Sequence, residues 1–118
     1  MGTLGALGTK DNLEVNLSGS YVNDHELASL LKHNRVSRLS VVGCPYLSEV
    51  TCEFIRAHKL TNLTYINVSR LCLSESSISD IVEHSGVLEL VWDRSTPEIE
   101  ARLEDKRKRN LNKSPNKP

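Results

Sequence analysis

Apolar residues recur in alternating pairs along the chain: Val15 and Leu17, Leu39 and Val41, Ile66 and Val68, Leu90 and Trp92. The first members of these pairs are 24, 27 and 24 residues apart. An alternation of period two puts successive side chains on opposite faces of a strand, so each pair predicts a short, half-buried strand. After each of the first three strands come an aliphatic residue, a small polar residue and an acid: Val22-Asn23-Asp24, Leu47-Ser48-Glu49 and Leu73-Ser74-Glu75. Three residues beyond each acid stands Leu27, Cys52 or Ile78, and six beyond it Leu30, Ile55 or Ile81. Steps of three keep those side chains on one helix face. The polar residue can cap the first free N–H groups, and the acid complements the positive helix start. The chain therefore repeats a strand–turn–helix unit, and repetition of this length points to a stacked array.

The predicted elements follow in order. Residues 1–11 hold three of the six glycines and predict a flexible lead-in. The first unit has a strand over Glu14–Ser18, a bend at Gly19, and a helix over Asp24–Lys32 with Leu27, Leu30 and Leu31 inward. The second has its strand around Leu39, Pro45 in the bend, Cys44 facing inward at the turn, and a helix over Glu49–His58. The third has a strand over Thr64–Ser69. Ser77-x-x-Asp80 fits a capping box and moves the predicted start of its helix from Ser74 to Ser77, with Gly86 as the stop. The fourth has Leu88, Leu90 and Trp92 at strand spacing. Thr96-Pro97-Glu98 then opens a polar closing helix over 96–110, in which only Ile99, Ala101 and Leu103 can pack. Residues 111–118 predict a disordered tail by composition.

The run Val36, Leu39, Val41, Gly43, Cys44, Leu47, Ser48, Glu49 resembles the leucine-rich repeat, specifically the cysteine-containing subtype of F-box-associated adapters. The cysteine position holds Ser20, Leu71 and Ser95 in the other units, and the Ile-Thr-Asp element of that subtype is never literal. The resemblance covers residues 12–95, about three and a half units. It implies an α/β fold: a short leucine-rich-repeat solenoid with a parallel strand ladder on the concave face, helices on the convex face and a C-terminal closing helix. It also implies a non-catalytic protein-interaction module, of the kind that recognises substrates for ubiquitin-ligase adapters of the F-box or related cullin-adapter type. Cullin-ligase components are then candidate partners. Two other readings stay open: a structural or assembly subunit that docks through its open ends, and a truncated fragment of a longer repeat protein.

Composition narrows the choice. Fifteen basic and fifteen acidic residues cancel, so no global field favours nucleic acid or a membrane surface. No apolar run reaches a membrane span, and the N-terminus lacks the basic start of a signal peptide. Cys44, Cys52 and Cys72 are odd in number. Without a signal peptide they predict reduced, buried thiols in a cytoplasmic or nuclear protein. Glycosylation-type triplets such as Asn67-Val68-Ser69 then follow from polar–apolar alternation alone. Neither the cysteines nor His25, His33, His58 and His84 have metal-ligand spacing, and no cofactor motif stands out. No nucleophile–base order, phosphate loop or carboxylate pair is present, so the sequence does not predict an enzyme.

The candidate site is the set of strand positions pointing away from the core. Of these, Glu14, Asn16, Arg38, Ser40, Tyr65, Asn67, Glu89 and Asp93 are the partner-binding candidates. Arg38 and Tyr65 are residue types that anchor interfaces. Lys106-Arg107-Lys108-Arg109 has the composition of a nuclear-import or nucleic-acid patch. Its place near a helix C-terminus, and its spacing from Glu100, Glu104 and Asp105, predict a structural role instead.

Overall fold

A computed structural model describes residues 13–113, with side chains to 110. The predicted lead-in and the last five residues lie outside the described residues. Strand and helix alternate four times: β1 (Leu13–Asn16), α1 (Asp24–His33), β2 (Val36–Ser40), α2 (Glu49–His58), β3 (Tyr65–Asn67), α3 (Glu75–His84), β4 (Glu89–Val91) and α4 (Pro97–Lys113). The fold is α/β. Its four strands form one parallel sheet in the order β1-β2-β3-β4, so each unit lies beside the next in chain order. The sheet is not curled, and the curvature expected of its open face is absent. Curvature in stacked units builds from a small rotation per unit, and four short strands accumulate little of it.

Among the described residues one hydrophobic core runs from the first strand to the last helix. Leu39, Ile66 and Leu90 supply one face of the sheet, and Leu27, Ile55, Ile78 and Ile81 come down on it from the helices. Cys44 is fully buried as predicted, and its Sγ–H donates to the Leu17 carbonyl at 3.0 Å. Ile99 and Leu103 seat α4 on α3, and both are fully buried. Ala101 was predicted to join them but is exposed, because two residues along a helix is about 200° of rotation. Trp92 closes the core at β4. Its indole Nε1 is buried with no hydrogen-bond partner among the described residues.

A ladder of carboxylates ties the units together. Asp24, at the start of α1, accepts hydrogen bonds from the backbone N–H of Ser48 at 2.9 Å, the Ser48 hydroxyl at 2.7 Å and the Thr51 hydroxyl at 2.5 Å. Ser48 is the cap of α2. Glu49 repeats the pattern one unit on, taking the Ser74 N–H at 3.0 Å and the hydroxyls of Ser74 and Ser77. Glu75 accepts from the Thr96 hydroxyl at 2.9 Å. The acid that follows each cap thus fixes the cap of the next helix. At α1 the same duty is done locally, by a capping box in which Asn23 and Glu26 satisfy one another. At α4 the acid's place is taken by Pro97, and the ladder stops there.

These contacts explain where α3 begins. The structure puts its cap at Ser74, not Ser77. Ser77 donates its N–H to the Ser74 hydroxyl at 3.1 Å and its own hydroxyl to Glu49, so it is the partner of the cap. Gly86 does stand just past the helix end, but not in the left-handed conformation that makes glycine a usual stop there. The helix ends at His84, with Ser85 as its cap. Gly86 is required by close approach: a Cβ there would lie 2.2 Å from the Thr61 carbonyl oxygen. At the chain's far end α4 runs to Lys113, past the predicted boundary at 110.

Partial burial alone would raise the pKa of Asp24, but the hydrogen bonds from Thr51 and Ser48 outweigh it and hold the carboxyl below its ordinary 3.8. A carboxylate depressed in the folded state contributes stability above its unfolded value. That stability is lost as pH falls through the folded value. Asp24→Ala is therefore expected to cost about 2 kcal/mol at neutral pH, since it orphans the α2 cap N–H and the buried Thr51 hydroxyl. The difference from the parent should shrink below pH ~4. Chemical denaturation at two pH values measures both effects, and a constant difference would mean the ladder does not carry charge.

Only two of the three predicted buried thiols are buried: Cys44 and Cys52 are, while Cys72 is exposed. Cys72 stands in the loop before Leu73, and Leu71 and Leu73 fill the core on either side of it. Burial, with the carboxylates of Glu49, Asp24 and Asp80 nearby, pushes the Cys52 thiol up to about 12. An aromatic disulfide reagent is expected to titrate one thiol in the folded chain and three after denaturation. Rapid reaction of more than one without denaturant would mean the core is looser than described.

Candidate functional site

Strand register sets the site. Pairing aligns Glu14 with Arg38, Arg38 with Tyr65, and Tyr65 with Glu89, so one row crosses all four strands. The next outward row is Asn16, Ser40, Asn67 and Val91. Each row has its core-facing neighbour row between, as a period of two requires. β1, β2 and β3 bring Glu14, Val15, Asn16, Arg38, Ser40 and Tyr65 around one depression of about 300 Å³.

Arg38 is the centre of the first row. Its guanidinium lies over the Tyr65 ring, 4.0 Å from the ring centroid. Its Nε is 3.7 Å from the Glu14 carboxylate on one side, and its Nη1 is 3.9 Å from Glu89 on the other. The side chains are 45% (Arg38), 72% (Glu14) and 64% (Glu89) exposed. Pairs this long and this wet contribute about 0–1 kcal/mol each, and the exposed cation–π contact about 0.5–1 kcal/mol. Together they hold the guanidinium in the middle of the face at little cost to break. A carboxylate or backbone carbonyl from a partner could displace either acid, while the Tyr65 ring keeps the group oriented.

The other candidates divide. Asn16 and Asn67 fold back locally: their Oδ1 atoms accept the N–H of Ser18 at 3.0 Å and of Ser69 at 3.1 Å. That fixes each amide group and leaves its NH₂ donors for a ligand. Asp93 is not in the Arg38 row. It lies beyond β4, where its Oδ1 accepts the Arg70 N–H at 3.3 Å and holds Arg70 in a left-handed conformation, φ 65°.

Two features are missing from the partner-binding candidates: Val91, although alternation already marks it as an outward strand position, and the pair Tyr21–Tyr46. Val91 completes the second row and is 41% exposed, an apolar contact beside Asn67. Tyr21 and Tyr46 are 72% and 59% exposed, and their rings meet at 5.6 Å. Both stand two residues ahead of a helix cap, Asn23 and Ser48. That shared position was the signal available in the sequence. A pair of exposed aromatic rings in contact is common at protein interfaces.

The basic run 106–109 has a structural role in part. Arg107 pairs with Glu104 at 3.4 Å and Arg109 with Asp105 at 3.2 Å. Glu100 instead accepts from the Ser95 hydroxyl at 2.7 Å. Lys106 leaves the helix surface: its ammonium donates to the carbonyls of Val82 at 2.6 Å, Ser85 at 2.9 Å and Val87 at 2.6 Å. These include carbonyls at the end of α3, where a cation is favoured. Burial, with Arg109 near, brings the ammonium down to about 8.

Among the described residues no group of three or more His, Cys, Asp or Glu side chains is placed to hold a metal ion. Among the described residues no helix is long and apolar enough to cross a membrane. No protein-family model matches the chain, and the search of curated proteins finds no significant match.

Proposed function

We propose that the chain is a non-catalytic protein-interaction module built as a short leucine-rich-repeat array, and that the open strand face is its binding surface. The observation that carries this is the row Glu14–Arg38–Tyr65–Glu89, one residue from each strand, with a loosely held guanidinium at its centre. Parallel, in-register strands give a partner four adjacent columns to read. Stacked strand–helix units commonly bind through such a surface. The resemblance to the repeats of F-box and cullin-type adapters makes substrate recognition for a ubiquitin ligase the first system to test. It points to a protein partner rather than to nucleic acid or membrane, in the cytoplasm or nucleus.

One observation favours a second reading, an assembly subunit that docks by its edge. Among the described residues β1 ends the sheet, and Leu13 and Val15 on it, with Leu17 just past it, are only half-buried. Paired variants separate the two. Arg38→Glu with Tyr65→Ala removes the central anchor without touching the core, so it should fold normally and lose a partner bound on the face. Leu13→Lys should leave that partner bound and release an edge-docked one. The opposite pattern in affinity purification would favour the assembly subunit.

A further inference from the structure

The helix ends opposite the carboxylate ladder form a second surface. Between the C-terminal end of α1 and that of α2 lies a cleft of about 420 Å³, lined by residues 31–36 and 58–63. Lys32, His33, Arg35, His58 and Lys59 line it, and no carboxylate of the described residues does. Helix C-termini ordinarily expose carbonyls, which would repel an anion. Here side chains cover them. His33 Nδ1 lies 2.9 Å from the Ser29 carbonyl, His58 Nδ1 lies 3.1 Å from that of Phe54, and Asn34 Nδ2 donates to that of Leu30 at 2.9 Å. A carbonyl can only accept, so Nδ1 carries the hydrogen in both rings, and Nε2 can donate to an anion when the ring is doubly protonated.

Two further observations separate this cleft from an ordinary set of helix-end charges. Arg35 is engaged in an interaction of its own, but among the described residues the Lys32 and Lys59 ammonium groups have no partner. Elsewhere most cations are taken up, among them Arg56 by Asp80 at 3.9 Å, Arg102 by Glu83 and Lys106 by three carbonyls, while Arg70, Arg94 and Lys108 have no side-chain partner among the described residues. The overall charge is zero, yet this cleft brings together two ammonium groups without a partner among the described residues. Lys59 also occupies the left-handed cap of α2, φ 45° and ψ 59°, a conformation that costs a side-chain-bearing residue free energy and glycine almost none. The chain carries a cation where its backbone would be better served by glycine.

We infer that this cleft binds a phosphate group carried on a phosphorylated segment of a protein partner. The choice of a protein partner rests on the interaction-module reading. The choice of a single phosphate over nucleic acid rests on the patch itself. A nucleic acid needs a basic stripe that follows its backbone, whereas Lys32 and Lys59 line one cleft between two units, and of the other cations without a partner among the described residues Arg70 and Arg94 stand past the opposite, C-terminal ends of the strands and Lys108 is on α4.

The test is amide chemical-shift titration of the full chain with inorganic phosphate, O-phosphoserine and oligothymidylate, at constant ionic strength set with chloride. Phosphate and O-phosphoserine are expected to shift residues 32–35 and 58–62 saturably. Lys59→Gly should weaken that binding by about fivefold or more, one charge-assisted contact, with a melting temperature at or above the parent's. Lys32→Gln should weaken it similarly. Shifts that chloride reproduces, shifts scattered over the surface, or unchanged affinity in both variants would overturn the assignment. So would oligothymidylate binding far tighter than O-phosphoserine with shifts spreading beyond the cleft. These measurements use no protein partner, so they bear on the cleft alone and leave the strand face to its own test.

Discussion

Leu39→Asp is expected to abolish cooperative folding. Leu39 is fully buried at the centre of the sheet, paired with Val15 on one side and Ile66 on the other. Removing its side chain costs about 2–5 kcal/mol. Burying a carboxylate without a partner adds several kcal/mol more. A domain's whole stability is roughly 5–15 kcal/mol, so little is left. Circular dichroism should show loss of helix signal and no melting transition. A melt superimposable on the parent's would mean that the strand register is wrong, and with it every assignment of a residue to the open face.

The second large effect is at Gly86. A methyl group there would fall 2.2 Å from the carbonyl oxygen and 2.8 Å from the carbonyl carbon of Thr61. Both are backbone atoms and cannot rotate aside. The Gly86 N–H also donates to the Leu60 carbonyl at 3.0 Å, which pins the two segments together. Gly86→Ala should therefore cost about 3 kcal/mol, the upper range for overpacking a tight site. Denaturant unfolding measures it. A loss below about 1 kcal/mol, the ordinary scale of a surface change, would show that the segments separate easily. Gly19→Ala is an informative comparison, because a Cβ there meets nothing and only the left-handed backbone, φ 77°, opposes it.

Much of the fold was legible because periodicity is a strong signal. The pairs at 39/41 and 66/68 fell in the core, and the outward positions between them fell on the open face. The acids after each cap were also visible, but their role was not. Near the helix start they suggested a purely local charge effect. In the structure Asp24 and Glu49 reach the caps 24 and 25 residues ahead. Comparing the acid of one unit with the cap of the next would have exposed that pairing. The start of α3 was missed for a related reason: Ser74 and Ser77 are chemically alike, and Glu49, on another helix, decides which one caps. Gly86 carried a familiar sequence meaning, a helix stop. Its actual constraint comes from Thr61, which local sequence cannot indicate.

The candidate site was legible by row but not by contact. Period two placed Glu14, Arg38, Tyr65 and Glu89 outward, and the register lined them up. That Arg38 would lie over Tyr65 between two carboxylates depends on side-chain rotamers, which no pattern fixes. Asp93 was drawn into the set by the same alternation, yet the strand ends before it and its carboxylate serves the Arg70 turn.

The most direct test of the strand face is a paired affinity purification. The chain and its Arg38→Glu, Tyr65→Ala variant would carry the same C-terminal tag, be expressed at equal level in cells, and have their co-purifying proteins quantified by mass spectrometry. Matching melting temperatures of the two purified proteins would first establish that both are folded. The account predicts a specific partner, with cullin-ligase components if the adapter reading holds, recovered with the parent and lost from the variant. The same partner recovered equally with both would contradict it.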